Sequence, residues 1–205
     1  MRDGIAIVIL GGGEARRFPG KLERELGGTP MIVRIFRAMR ATGYPVFVAG
    51  KGSFESQVDA ALECPLLVDR WPGSGPLAAL VSACGSFDCA PLHGAPLRMT
   101  KPGHVFAVAG DEPLVDGSLL EALEAAWQDG DRAVVPEHDG RVEPLAGLYE
   151  TSSVLHEGFT LLSQDRTSMH DLLDRLSARR VSVSARYFAN VNVPADLERA
   201  GASTA

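Results

Sequence analysis

Three glycines followed by three cations pose the first chemical question in this chain. Leu10-Gly11-Gly12-Gly13 runs through Arg16 and Arg17 to Gly20-Lys21. Glycine allows positive φ and close backbone approach, and successive backbone N–H groups can form an anion-binding concavity. With Arg16, Arg17 and Lys21 on the same loop, these residues read as a phosphate cradle. Two familiar fingerprints are near misses. The dinucleotide motif needs a glycine where Arg16 stands, and the P-loop needs four residues between its glycines where six separate Gly13 from Gly20. A glycine turn with solvated arginines is the plain alternative.

Two carboxylates follow apolar runs. Asp111 comes directly after 105–109, and Asp69 after 65–68. In an open α/β sheet, ligands bind outside the carboxyl ends of the strands. Asp111 therefore stands where a ligand-binding carboxylate would, with an N-cap or turn residue before Pro113 as the alternative. Asp69 reads as a ligand-binding group or as a strand-ending turn residue.

The elements that must position these groups are legible from hydrophobic pattern. Short apolar runs at 5–10, 45–49, 65–68, 105–109 and 133–136 lack polar alternation, as fully buried parallel strands do. Helical patterns lie between and after them, at 31–42, 54–62, 76–84, 119–127, 152–162 and 169–176. In the first, Pro30 and Gly43 flank Ile32, Ile35, Phe36 and Met39 in the usual asymmetry. Alternation of strand and helix implies βαβ units. The expected fold is α/β, a three-layer sandwich around a mostly parallel central sheet. Residues 140–149 read as extended and 180–184 as a strand. A short last helix is expected near Pro194. One domain is expected over 1–199, with a frayed tail at 200–205. The stretch 88–103 reads as a surface loop between a helix and the next strand.

Composition narrows the function classes. The net charge of −6 speaks against a nucleic-acid partner, which requires a basic surface. No apolar run reaches the roughly 20 residues that span a bilayer, so no membrane role is expected. Three cysteines without a CxxC pair fit a reducing compartment rather than a disulfide framework. A cytoplasmic protein is expected. The five histidines share no ligand spacing and read as surface residues.

Six blocks in order resemble one family. They are Leu10-Gly11-Gly12-Gly13-x-x-Arg16-Arg17-Phe18-x-x-Lys21, Leu26-Gly27-Gly28-Thr29-Pro30-Met31, Asp69 with Gly75-Pro76-Leu77-Ala78, Ala109-Gly110-Asp111-Glu112-Pro113, Pro144-Leu145-Ala146-Gly147-Leu148-Tyr149, and Phe188-x-Asn190-Val191-Asn192-x-Pro194. Together they resemble the nucleotidyltransferases, and most closely the molybdenum cofactor guanylyltransferases. The resemblance implies transfer of GMP from GTP to the phosphate of molybdopterin, with release of pyrophosphate. It implies Mg²⁺ held by Asp111, and a GTP site lined by Leu10, Gly11, Gly12, Gly13, Lys21, Asp69 and Asp111. Asp111, Lys21 and Arg16 would be the catalytic residues. Asn190 and Asn192 would lie on the molybdopterin side, or serve as turn formers ahead of the last helix. Molybdoenzymes or cofactor-synthesis proteins are the implied protein partners.

Some features depart from the family pattern. No aspartate precedes Lys21, Ala49-Gly50-Lys51 stands where relatives often carry an asparagine, and Ala79 replaces a frequent glycine. Three other functions compete. Cytidylyl relatives usually carry Ala-Ala-Gly in place of Gly11-Gly12-Gly13. Sugar-phosphate nucleotidyltransferases are usually longer. A non-catalytic nucleotide binder would have no need of both Lys21 and Asp111.

Overall fold

The computed structural model describes residues 4–11, 20–50, 54, 56–62, 64, 66–87 and 102–188. Its framework is a sheet of strands in the order β10-β7-β9-β6-β1-β4-β5. The strands are β1 (Ile5–Leu10), β4 (Val46–Gly50), β5 (Leu66–Val68), β6 (His104–Ala109), β7 (Ala133–His138), β9 (Ala146–Glu150) and β10 (Arg179–Ser182). The short β8 (Arg141–Val142) pairs with β7 in antiparallel fashion. All contacts from β6 through β1 and β4 to β5 are parallel. Only β9 is reversed within the main order, running antiparallel to both β6 and β7. The mostly parallel sheet expected from the apolar runs is therefore present, and β7 and β10 point the same way as β1.

Each central strand is apolar on both faces because helices cover both. Ala6, Val8 and Leu10 of β1 join a core with α3 (Gly75–Ser86), α5 (Thr151–Leu162) and α6 (Met169–Leu176). Ile5, Ile7 and Ile9 join the opposite core with α1 (Met31–Arg40), α2 (Ser56–Leu62) and α4 (Gly117–Ala126). A period of two along the strand thus divides one apolar run between two helical layers.

Before α1 lies a small hairpin that the hydrophobic pattern does not announce. Strands β2 (Glu25–Leu26) and β3 (Thr29–Pro30) are joined by Gly27 and Gly28, with φ of 61° and 75°. Positive φ at both central positions is the requirement of the tight hairpin turn, and a Gly-Gly pair meets it. The hairpin and the preceding 3-10 turn (Lys21–Glu23) return the chain from the first loop to α1, and Leu22 packs into the α1-side core. The extended stretch read over 140–149 is two strands separated by a turn at residues 143–145.

Candidate active site

The parallel arrangement carries the ends of β1, β4, β5 and β6 to one edge. Leu10 and Ala109 are register partners, so Gly11 and Gly110 leave the sheet side by side. The Gly110 N–H donates to Leu10 O at 3.0 Å, and the Gly11 N–H to Ala49 O at 2.7 Å. Both positions are crowded. A Cβ on Gly110 would lie 3.2 Å from Leu10 O and from Ile32 Cδ1, and one on Gly11 would lie 3.1 Å from Phe54 Cζ. Glycine is needed at these points for close approach.

Lys21 reaches this edge from the 3-10 turn. Its Nζ donates to Asp111 Oδ2, forming an ion pair. The side chains keep 16% and 19% of their exposure, so both groups remain accessible from solvent. The phosphate-binding lysine and the metal carboxylate expected from the sequence are thus brought into contact.

Asp69 lies three strands away from β6, just past the end of β5. Its N–H donates to Gly50 O at 3.1 Å, which continues the β4–β5 pairing by one residue. Its Oδ1 accepts from the Trp71 N–H at 2.9 Å and from the Ser82 hydroxyl at 3.0 Å. The turn function weighed for Asp69 is therefore real, and a second donor is added to it.

On the other side of Asp111 is Glu112, which is 4% exposed. Burial, reinforced by the neighbouring Asp111 and Glu143 carboxylates, pushes its carboxyl well above the ordinary range. Its Oε2 has no hydrogen-bond partner among the described residues. Glu143, on the turn before β9, meets His138 Nε2 at 3.0 Å. The His138 ring stacks on Phe188 with centroids 4.6 Å apart and planes 10° from parallel. His138, with a side chain only 10% exposed, and His104, half-buried against Trp127, correct the reading of these histidines as surface residues. Both fill aromatic contacts that ligand spacing cannot report.

This fold recurs in known proteins. The sequence matches the MobA-like NTP transferase domain family over residues 7–181.

The chain belongs to the MobA-like NTP transferase family.

Two curated relatives agree over nearly their whole length. A Bacillus licheniformis protein named "Probable molybdenum cofactor guanylyltransferase" is 31% identical, covering 93% of each chain. One of the same name from Bacillus cytotoxicus is 27% identical, covering 92% of each. The crystal structure of molybdopterin-guanine dinucleotide biosynthesis protein A from Archaeoglobus fulgidus superposes with a TM-score of 0.75 at 24% identity, covering 96% of this chain and 97% of that one. That likeness establishes the fold, and the sequence match establishes the family.

Within this MobA-like transferase, Leu10, Gly11, Lys21 and Asp111 gather at one place, and Asp69 sits farther along the same edge. Gly12, Gly13, Arg16, Asn190 and Asn192 lie outside the described residues. Ser82 and Glu112 went unrecognised as site neighbours in the sequence reading. Ser82 is the single hydroxyl among the buried residues of α3, Leu77 to Cys84, the rest of which are apolar, and that contrast is a usable signal. Glu112 is a charged residue between Asp111 and Pro113 where an apolar strand ends, and pattern alone does not tell that it turns inward. Among the described residues, no helix is long and apolar enough to cross a membrane.

Proposed function

We propose that this chain is a molybdenum cofactor guanylyltransferase, joining GMP from GTP to the phosphate of molybdopterin and releasing pyrophosphate. Family membership and the names of the relatives support the reading. The observation that carries it to the site is the meeting of Lys21 with Asp111 beside Gly11 at the carboxyl edge.

The donor set suits Mg²⁺. Asp111 offers one accessible carboxylate, and among the described residues no group of three acidic, histidine or cysteine side chains forms a closed cage. An open site with one strong protein ligand fits an ion that keeps its waters and takes substrate phosphates. When bound, Mg²⁺ supplies charge neutralisation and polarisation at the reacting phosphate.

The residues then have separable tasks. The Lys21 ammonium leaves Asp111 for the triphosphate and offsets its charge, as a compact cation with three donors can. Gly11 and Gly110 let the two strand ends pack closely on Phe54 and Ile32, which fixes the edge on which Lys21 and Asp111 meet. Asp69 meets the nucleoside, and Asn190 and Asn192 meet the molybdopterin. An oxygen of the molybdopterin phosphate attacks the α-phosphorus of GTP, the bond from that phosphorus to the bridging oxygen breaks, and pyrophosphate departs with the electron pair. The attacking phosphate monoester has a second pKa near 6 and is mostly anionic at neutral pH. No general base is required, and positioning with electrostatic stabilisation does the catalytic work.

A nucleotide panel tests this reading. Pyrophosphate release is measured with GTP, CTP and ATP in Mg²⁺, with and without molybdopterin. Release that needs both GTP and molybdopterin is the expected result. Equal turnover with CTP, or release indifferent to molybdopterin, overturns it.

A further inference from the structure

Asp69 is held by more than its own turn. A side-chain oxygen that accepts from the backbone N–H two residues on is sufficient to make an Asx turn, and the Trp71 N–H provides that bond. Ser82 adds a second donor to the same oxygen from a helix 13 positions away in sequence. Its hydroxyl also accepts from the Arg70 N–H at 3.0 Å. Ser82 is only 2% exposed, and a hydroxyl removed from water is costly unless it is hydrogen-bonded. Both its donor and an acceptor position are used, and both serve the Asp69–Trp71 turn. Two donors on Oδ1 fix the rotation of the carboxylate, and neither bond uses Oδ2.

We infer that Ser82 is a positioning residue of the nucleotide site: it anchors Asp69 Oδ1 so that Oδ2 faces the hydroxyl or N–H donors of a bound nucleoside. The inference rests on the reading that places Asp69 on the nucleoside side of the site. Asp69 stands three strand spacings from β6, about 14 Å by the usual separation of neighbouring strands. The nucleoside and triphosphate ends of the ligand should therefore respond to separate residues.

A double-mutant cycle on nucleotide affinity tests it, using Ser82→Ala, Asp69→Ala and the pair, with calorimetry and thermal melts on the full chain. Wild-type protein is first titrated with GTP, CTP and ATP, and the tightest binder becomes the probe. Ser82→Ala should weaken that nucleotide about tenfold, the scale of a hydrogen bond to a charged group. It should leave the affinity for inorganic triphosphate unchanged, and should add nothing in the Asp69→Ala background. Ser82→Cys, close in size but a weak donor, should resemble Ser82→Ala. Nucleotide affinity that stays constant while the melting temperature falls overturns the inference, as does an equal loss in the Asp69→Ala background. Preference for CTP overturns the guanylyl reading while the cycle still judges Ser82, and failure to bind any nucleotide overturns both.

Discussion

Lys21 and Asp111 stand 90 positions apart in the chain and form an ion pair above the ends of β1 and β6. One lies in the turn that follows the loop after β1 and the other in the turn just past β6, the strand paired with β1, so the contact closes the most central parallel pair of the sheet. The two charges neutralise each other. Both must find new partners when phosphate and metal arrive.

Lys21→Ala should therefore act in opposite directions on the two ligands. Loss of a charge-assisted contact, worth about 1.5–3 kcal/mol, should reduce GTP affinity at least tenfold. In the absence of nucleotide, Asp111 is released from its cation, and divalent-metal affinity should rise. Calorimetry with GTP and Mn²⁺ titration followed by electron paramagnetic resonance measure the two effects. A fall in both affinities would mean that the ammonium does not compete with metal at Asp111.

Asp111→Asn keeps the shape of the side chain and removes its charge. Loss of one preorganised electrostatic element commonly costs about 10²–10³ in rate. Turnover should fall by that order, with a raised Mg²⁺ requirement. The melting temperature should stay close to wild type, because a partly exposed ion pair contributes no more than about 1 kcal/mol. An unstable Asp111→Asn protein whose folded fraction is fully active would make this residue a turn-former.

Glu112 gives stability a pH dependence. Burial raises its carboxyl in the folded chain, whereas the unfolded chain keeps an ordinary value near 4.3. Between those values the folded state holds a proton that the unfolded state has lost. Stability contributed at this position is thus greatest below about pH 4.3 and falls as the pH rises toward the folded value. Glu112→Gln is neutral in both states and should flatten this slope. The variant should melt higher than wild type at pH 8 and show no such gain at pH 4. Melting curves across that range decide it, and parallel slopes for the two proteins would refute the assignment.

Gly110→Ala places a methyl 3.2 Å from Leu10 O and 3.3 Å from Leu22 Cδ2. Leu22 adjoins Lys21, so the strain falls on the turn that delivers the ammonium. Overpacking of this kind costs about 1–3 kcal/mol. Urea unfolding should show that loss, and GTP titration should show weaker binding as well. Loss of stability with intact GTP affinity would separate the turn from the site.

Much of this arrangement is legible in the residues themselves. The apolar runs identify the central strands because burial on both faces removes polar alternation, and the end of each run locates Gly11, Asp69 and Asp111. Strand direction is less legible. The β9 segment Ala146-Gly147-Leu148-Tyr149 is as apolar as the parallel strands of the sheet, and only the short β7–β8–β9 connections force its reversal. Tertiary hydrogen bonds are least legible, since Ser82 and Asp69 are related by the packing of α3 against β5 rather than by any spacing. The expected helix ends differ from the observed ones by up to two residues, as at α4, where the Asp116 cap rather than apolar periodicity decides the start.

The opposite rim of the sheet has a different fate. Past the end of α3, the Phe87 ring meets Phe47 near the start of β4, and just before β6 the Gly103 carbonyl accepts from the Thr151 N–H at the start of α5. Both contacts belong to the amino ends of the strands. The length of the strands separates Phe87 and Gly103 from Lys21 and Asp111. A reporter attached at either of these two positions is accordingly held at the end of the sheet remote from the transfer reaction.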